Sequence, residues 1–122
     1  MIKLVFCLHR LPDLSPQEFR DYWWRIHAPL VRDRAPVLRI KRYVQSHGLE
    51  SPLDAAMQAS RDAQTRYDGF AELWWASQTD LDFAMSDPQA LAAGAELLDD
   101  ERKFIDLGRS SLTFVHERVV VG

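Results

Sequence analysis

The chain has 122 residues, 47% of them hydrophobic and 27% charged, with four histidines, one cysteine and a formal net charge of −3. That suits a single globular domain over residues 1–122, and the mixed charges form no basic footprint for nucleic acid. No apolar run approaches the ~20 residues of a membrane span, "MIKLVFCLHRL" does not read as a signal peptide, and the lone Cys7 excludes an internal disulfide and fits a reducing cytoplasm.

Residues 2–9 alternate Ile2, Leu4, Phe6 and Leu8 against Lys3, Val5, Cys7 and His9, the period of a strand. After the turn "LPDL", the run "SPQE" predicts a helix start, with Ser15 as cap, Pro16 in the first turn and Glu18 closing a capping box. Phe19, Tyr22, Trp23, Ile26 and Leu30 recur at helical spacing and carry the helix to about Arg34. Pro29 either kinks it or ends it a turn earlier. A second strand is predicted over 38–47, with Leu38, Ile40 and Val44 on one side and Tyr43, Gln45 and His47 on the other. Residues 48–66 read as a surface loop with a helical turn around Leu53–Ala63. "YDGFAELWWA" is the third strand. Helices follow over 77–86 and 88–99, capped by Ser77 and by Ser86 or Asp87. "DDERKFIDLG" reads as a short turn ending at Gly108, and "SSLTFVHERVVV" as the last strand.

The order is βαβ twice. In about 120 residues that predicts an α+β, ferredoxin-like split βαβ sandwich: a four-stranded antiparallel sheet with helices on one face. Strand parity puts Ile2, Leu4, Phe6, Ile40, Val44, Leu73 and Phe114 under the helices. It leaves Val5, Cys7, Tyr43, Gln45, His47, Phe70, Glu72, Trp74 and Val115 on the open face. The open set is too apolar for bare water and too polar for a dry core, so it reads as a cavity wall.

"LSPQEFRDYWWRIHAPLV", "RYVQSH", "YDGFAELWW" and "DERKFIDLGRS", in this order, resemble the EthD family of the dimeric α/β-barrel superfamily over nearly the whole chain, most weakly at 48–66. The resemblance implies a protomer whose open sheet face packs against a second copy to close a barrel, with ligands bound between sheet and helices. It also implies proteins tied to ether degradation, or cofactor-free enzymes that dehydrate, decarboxylate or oxygenate aromatic polyketides. The fold alone does not choose among these reactions.

Four residues are candidates for the chemistry. His27 lies on the flank of its helix's apolar stripe, where it either faces a pocket or bonds a carbonyl; the resemblance at this position favours the pocket. His47, Tyr43 and Glu72 share the predicted open face, and a histidine beside a carboxylate among aromatic rings can move protons on a bound ring. Glu72 is either part of that set or an ion-pair partner of Arg42 or Lys41. His47 either joins it or ends its strand in solvent. Trp23, Phe70, Trp74 and Val5 are the expected substrate-binding surfaces. "DERKFID" reads as structural, and Asp68-Gly69 as a bulge or tight turn.

No HxxxH, CxxC, GxGxxG or P-loop spacing occurs, so neither metal nor cofactor is expected. The expectation is a cytoplasmic homodimer that binds an apolar small molecule, and neither nucleic acid nor membrane. Its reaction would be dehydration or decarboxylation of a cyclic, polyketide-like carbonyl compound. An oxygenase-type oxidoreductase using the same pocket and a non-catalytic ligand-binding protein are the alternatives. The helix and the open face lie on opposite sides of the sheet. A pocket of His27, Trp23, Tyr43, His47 and Glu72 therefore requires a slip in strand parity or a route round the sheet edge.

Overall fold

Alternation of apolar side chains builds β1 (Ile2–Leu8), β3 (Gly69–Trp75) and β4 (Ser111–Val115), and β2 spans Arg42–His47 in a computed structural model that describes residues 1–122. The strands form one sheet in the order β2-β3-β1-β4, every pair antiparallel. With helices between β1 and β2 and between β3 and β4, this is the ferredoxin-like arrangement. The helical segments are α1 (Pro16–Tyr22), a π-helical turn (Trp23–His27), α2 (Ala28–Arg34), α3 (Pro52–Ser60), α4 (Gln78–Ala84) and α5 (Pro88–Glu101). Local chemistry sets their starts. The Ser15–Glu18 capping box is present, Ser77 caps α4, and Asp87 rather than Ser86 caps α5 through the N–H groups of Gln89 and Ala90.

The helix does not stop at Pro29. It takes up one extra residue, with the Ala28 N–H reaching five residues back to the Trp23 carbonyl, before Pro29 enters in the first turn of α2, where a proline is tolerated. The wider turn changes which face is inside. Phe19, Trp23, His27 and Val31, each four residues apart, are buried, whereas Ile26, expected in the stripe, is 48% exposed. In a regular helix positions four apart drift by about 40° per step; the π turn resets that drift.

β2 begins later than its alternation suggests, at Arg42. Leu38 and Ile40 belong not to the strand but to the turn that ends the helix. There Arg39 N–H donates to the Pro36 carbonyl (3.1 Å) and Ile40 N–H to Ala35 (3.0 Å), with Arg39 at φ 55°. A left-handed arginine costs roughly 1–2 kcal/mol. Its guanidinium stacks on Phe83 at 3.5 Å and bonds Asp80 at 3.1 Å, which offsets that cost. Counting alternation through this turn reverses the strand. In the observed register Tyr43 lies opposite Leu73, Gln45 opposite Ala71 and His47 opposite Gly69, while Val44 lies opposite Glu72. Tyr43, Gln45 and His47 therefore face the helices, together with Ile2, Leu4, Phe6 and Leu8. Val44 joins Val5, Cys7, Phe70, Glu72 and Trp74 on the open face.

The core lies between sheet and helices. Phe6, Leu8 and Ala71 meet Phe19, Trp23, Phe104 and Ile105, and a second cluster joins Val31 and Leu38 to Ala84, Ala90, Ala93 and Leu97. Gly69 is neither bulge nor turn but a paired strand residue. Only glycine fits there, because a Cβ would sit 2.5 Å from the Trp23 ring. Asp68 beside it accepts from the Arg10 backbone N–H (2.8 Å) and from its guanidinium (2.9 Å).

Candidate functional site

The π turn carries His27 inward, to 5% exposure, against the last turn of α5. There His27 Nδ1 lies 2.8 Å from Asp100 Oδ2, and the Tyr22 hydroxyl donates to Asp100 Oδ1 at 2.5 Å. Asp100 is itself 5% exposed. A carboxylate only accepts, so His27 holds its proton on Nδ1 and leaves Nε2 bare when the ring is neutral. Neutrality is the favoured state: burial pushes the imidazole below its ordinary value and outweighs the opposing pull of Asp100. Burial, and then the hydrogen bond to Asp100 and its charge, drive the Tyr22 phenol up to about 12, so it remains a donor.

His27 lines a small internal cavity of about 50 Å³ with Trp23, Val31, Tyr43, Leu97 and Glu101. Burial, and then the charge of Asp100, raises the Glu101 carboxyl to about 7. Two proton-exchanging groups with opposite resting states, a bare imidazole nitrogen and a carboxyl poised near neutrality, thus line one small space. An open groove of about 560 Å³ runs outside it, between α2 and the β2 edge, floored by Trp24, Ala28, Pro29 and Ile40 and rimmed by Arg32, Lys41 and Arg42. Val31 and Tyr43 line both spaces and form the wall between them.

Of the sequence-predicted residues, His27, Trp23 and Tyr43 meet at this cavity, and His47 stands next to it. Its ring lies on Trp23 (centroids 4.3 Å apart) and its Nε2 is 2.9 Å from Gln45 Oε1. Glu72 is on the other side of the sheet, bonded to Lys3 Nζ at 2.6 Å, so the pocket expected from His27 with Glu72 does not exist. The ion-pair alternative holds for Glu72, with Lys3 in place of Arg42 or Lys41. Val5, Phe70 and Trp74 also face away from the cavity. Trp74 is sandwiched between Lys3 and Arg42, at 5.0 and 4.8 Å from its ring. Trp23 is 1% exposed and packs in the core as well as walling the cavity.

Sequence reasoning missed Asp100 and Glu101 by ending α5 at residue 99 and treating "DERKFID" as structural. A signal was present: Ala90, Ala93 and Leu97 mark the buried stripe of α5, and its next positions are the two carboxyls. A larger cleft of about 790 Å³ opens at the strand ends, with His9, His47, Arg66, Tyr67, Phe70 and Arg109 in its walls. Its polar lining suits an apolar ligand less well than the groove does. No three His, Cys, Asp or Glu side chains are grouped to hold a metal ion. No helix is long and apolar enough to cross a membrane.

An antiparallel four-stranded sheet with helices over one face, and a buried histidine–carboxylate pair beneath it, defines the class: a ferredoxin-like domain. The chain belongs to the EthD family, whose domain model matches residues 11–108. Among solved structures it is similar to an ethyl tert-butyl ether D (EthD) family protein from Bacillus halodurans C-125, with 21% identity, TM-score 0.64, and 97% of this chain and 99% of that one covered. An EthD-like protein from Ralstonia eutropha JMP134 matches with 19% identity and TM-score 0.60, covering 98% and 93%. A dimeric ferredoxin-like protein from Thermobifida fusca YX matches with 11% identity and TM-score 0.57, covering 93% and 88%. No curated protein matches the chain in sequence.

Proposed function

We propose that the chain is a cofactor-free enzyme that moves protons on an apolar, cyclic carbonyl compound seated in the α2–β2 groove. The reaction would be dehydration or decarboxylation. The observation that carries this reading is the neutral His27, held through Nδ1 by Asp100 and sharing a small cavity with the Glu101 carboxyl. In dehydration His27 Nε2 takes a proton from the carbon next to the carbonyl while Glu101 protonates the hydroxyl that leaves as water. In decarboxylation the C–C bond breaks to release CO₂ and Glu101 protonates the enolate carbon left behind. In both, Tyr43 donates to the carbonyl oxygen. Size decides where the ring lies. A cavity that holds benzene measures about 150 Å³, three times the inner space, so the ring stays in the groove and only its reacting end passes between Val31 and Tyr43.

Both chemistries begin or end at an enol, so the test is enolisation itself: deuterium wash-in next to the carbonyl of 2-tetralone in D₂O, followed by NMR. His27→Asn keeps a donor for Asp100 and removes the base. It should slow exchange about 10²–10⁴-fold, the usual worth of positioned proton transfer. Glu72→Gln, across the sheet, should leave exchange unchanged. Wild-type exchange in His27→Asn, or none above background in the wild type, refutes the reading.

We further propose that the open face, with Val5, Val44 and the 38%-exposed Phe70, packs against a second copy, as the description of the Thermobifida relative as dimeric supports.

A further inference from the structure

The helix-facing side of β2 carries Tyr43, Gln45 and His47 as a hydrogen-bonded row, and its direction follows from one atom. The backbone carbonyl of Trp23 can only accept. Gln45 places a side-chain terminus 3.0 Å from it, so that terminus is the amide nitrogen. The same nitrogen lies 2.9 Å from the Tyr43 hydroxyl, so the tyrosine oxygen is the acceptor. The amide oxygen is then left for His47 Nε2, which donates. The hydroxyl hydrogen of Tyr43 finds no acceptor within the chain, and Tyr43 lines both the groove and the inner cavity.

From this row we infer that Gln45 is a positioning residue that makes Tyr43 an obligate donor to the ligand, so that the site selects compounds presenting an acceptor oxygen, a carbonyl or a phenolate, at that point. The inference rests on the groove reading above and sharpens it. A serine- or water-like group at position 43 could turn either way, and a free tyrosine hydroxyl could too. Here the amide N–H points at one lone pair of the oxygen, so the hydroxyl hydrogen must turn away from Gln45 and towards the spaces Tyr43 lines. As developing negative charge on a carbonyl oxygen is what such a donor stabilises, the arrangement favours an enolate over the ketone it comes from. Gln45 itself is fixed because its second N–H goes to the Trp23 carbonyl, at the residue where the π turn begins.

The test uses 4-nitrophenolate, whose visible absorbance reports its oxygen's surroundings, titrated into the folded protein at fixed pH. Tyr43→Phe should weaken binding about 10- to 100-fold, the worth of a hydrogen bond to a charged group. Gln45→Met, equal in length, should weaken it by a similar factor although Tyr43 remains. Gln45→Glu should do so too, because its carboxylate turns the tyrosine hydrogen away from the ligand. ¹³Cζ-tyrosine NMR gives a second readout: removing the amide donor in Gln45→Met should raise the pH at which Tyr43 ionises. Full binding in folded Gln45→Met or Gln45→Glu, full binding in Tyr43→Phe, no binding by the wild type, or an unmoved Tyr43 titration overturns the inference. Should binding follow the expected pattern while 2-tetralone shows no exchange, only the catalytic reading fails.

Discussion

Replacing Glu101 by Gln should make the protein more stable at high pH while removing proton transfer. Glutamine keeps the shape of the side chain and is neutral at every pH. Burial raises the Glu101 carboxyl from its ordinary 4.5 to about 7 in the fold. Its folded value exceeds its unfolded one, so its contribution is intact below pH 4.5 and lost as pH rises through about 7. At about 1.4 kcal/mol per unit, the charged form costs about 3 kcal/mol above pH 8, a sizeable part of the ~5–15 kcal/mol that holds a domain together. His27 works in the opposite sense: its depressed value gives stability above pH 6.5 that fades as pH falls. It is common to both proteins and largely cancels in their difference. Urea unfolding followed by tryptophan fluorescence at pH 5, 6, 7 and 8 should show the Glu101→Gln advantage growing with pH, by up to about 3 kcal/mol, with most of the change between pH 5 and 8. A difference that stays flat would show that the carboxyl is solvated in the fold and does not titrate high. Full deuterium exchange in the same variant would remove Glu101 from the proton path.

The phase of the α1–α2 helix makes a second prediction: Phe19→Ala should cost about 3–5 kcal/mol by cavity formation, whereas Ile26→Ala, on a half-exposed side chain, should cost under about 1 kcal/mol by the same urea titration. A regular helix would make the two losses comparable. For the open face, sedimentation equilibrium at micromolar concentration should show a dimer, whose interface needs about 1,000 Å² or more in total, and a monomer would leave Phe70 and Val5 without the partner proposed for them.

The strands and the helix starts were legible because their signals are local. Period-two alternation marks β1 and β3, and Ser15, Ser77 and Asp87 bond N–H groups two or three residues on. The face of β2 was not legible, because alternation is only meaningful inside a strand, and Leu38 and Ile40 sit in a turn broken by the left-handed Arg39. The error reached the candidate site directly. It put Tyr43 and His47 beside Glu72 and away from His27, and the observed register does the reverse. Asp100 and Glu101 were hidden by a different habit of reading: carboxyls near a helix end look like solvated caps unless the apolar stripe is extended through them. His27 was noticed, but its partner was sought on a strand and is found on α5.

Pro29 connects these observations. It has no N–H to give to a carbonyl four residues back, so the helix before it must rearrange or break. The chain widens by one residue at Trp23–His27 instead, and two consequences follow from that single insertion. The ring of His27 turns from the flank of the stripe into the interior, where Asp100 holds it. The Trp23 carbonyl, already taking the Ala28 N–H, accepts the Gln45 amide as well and so sets the direction of the row that ends at Tyr43. A residue four after Trp23 in an unbroken helix would lie about 40° further round, towards the edge of the stripe that the sequence suggested for it. The imidazole and the tyrosine donor come from different layers of the fold, and the π turn touches both.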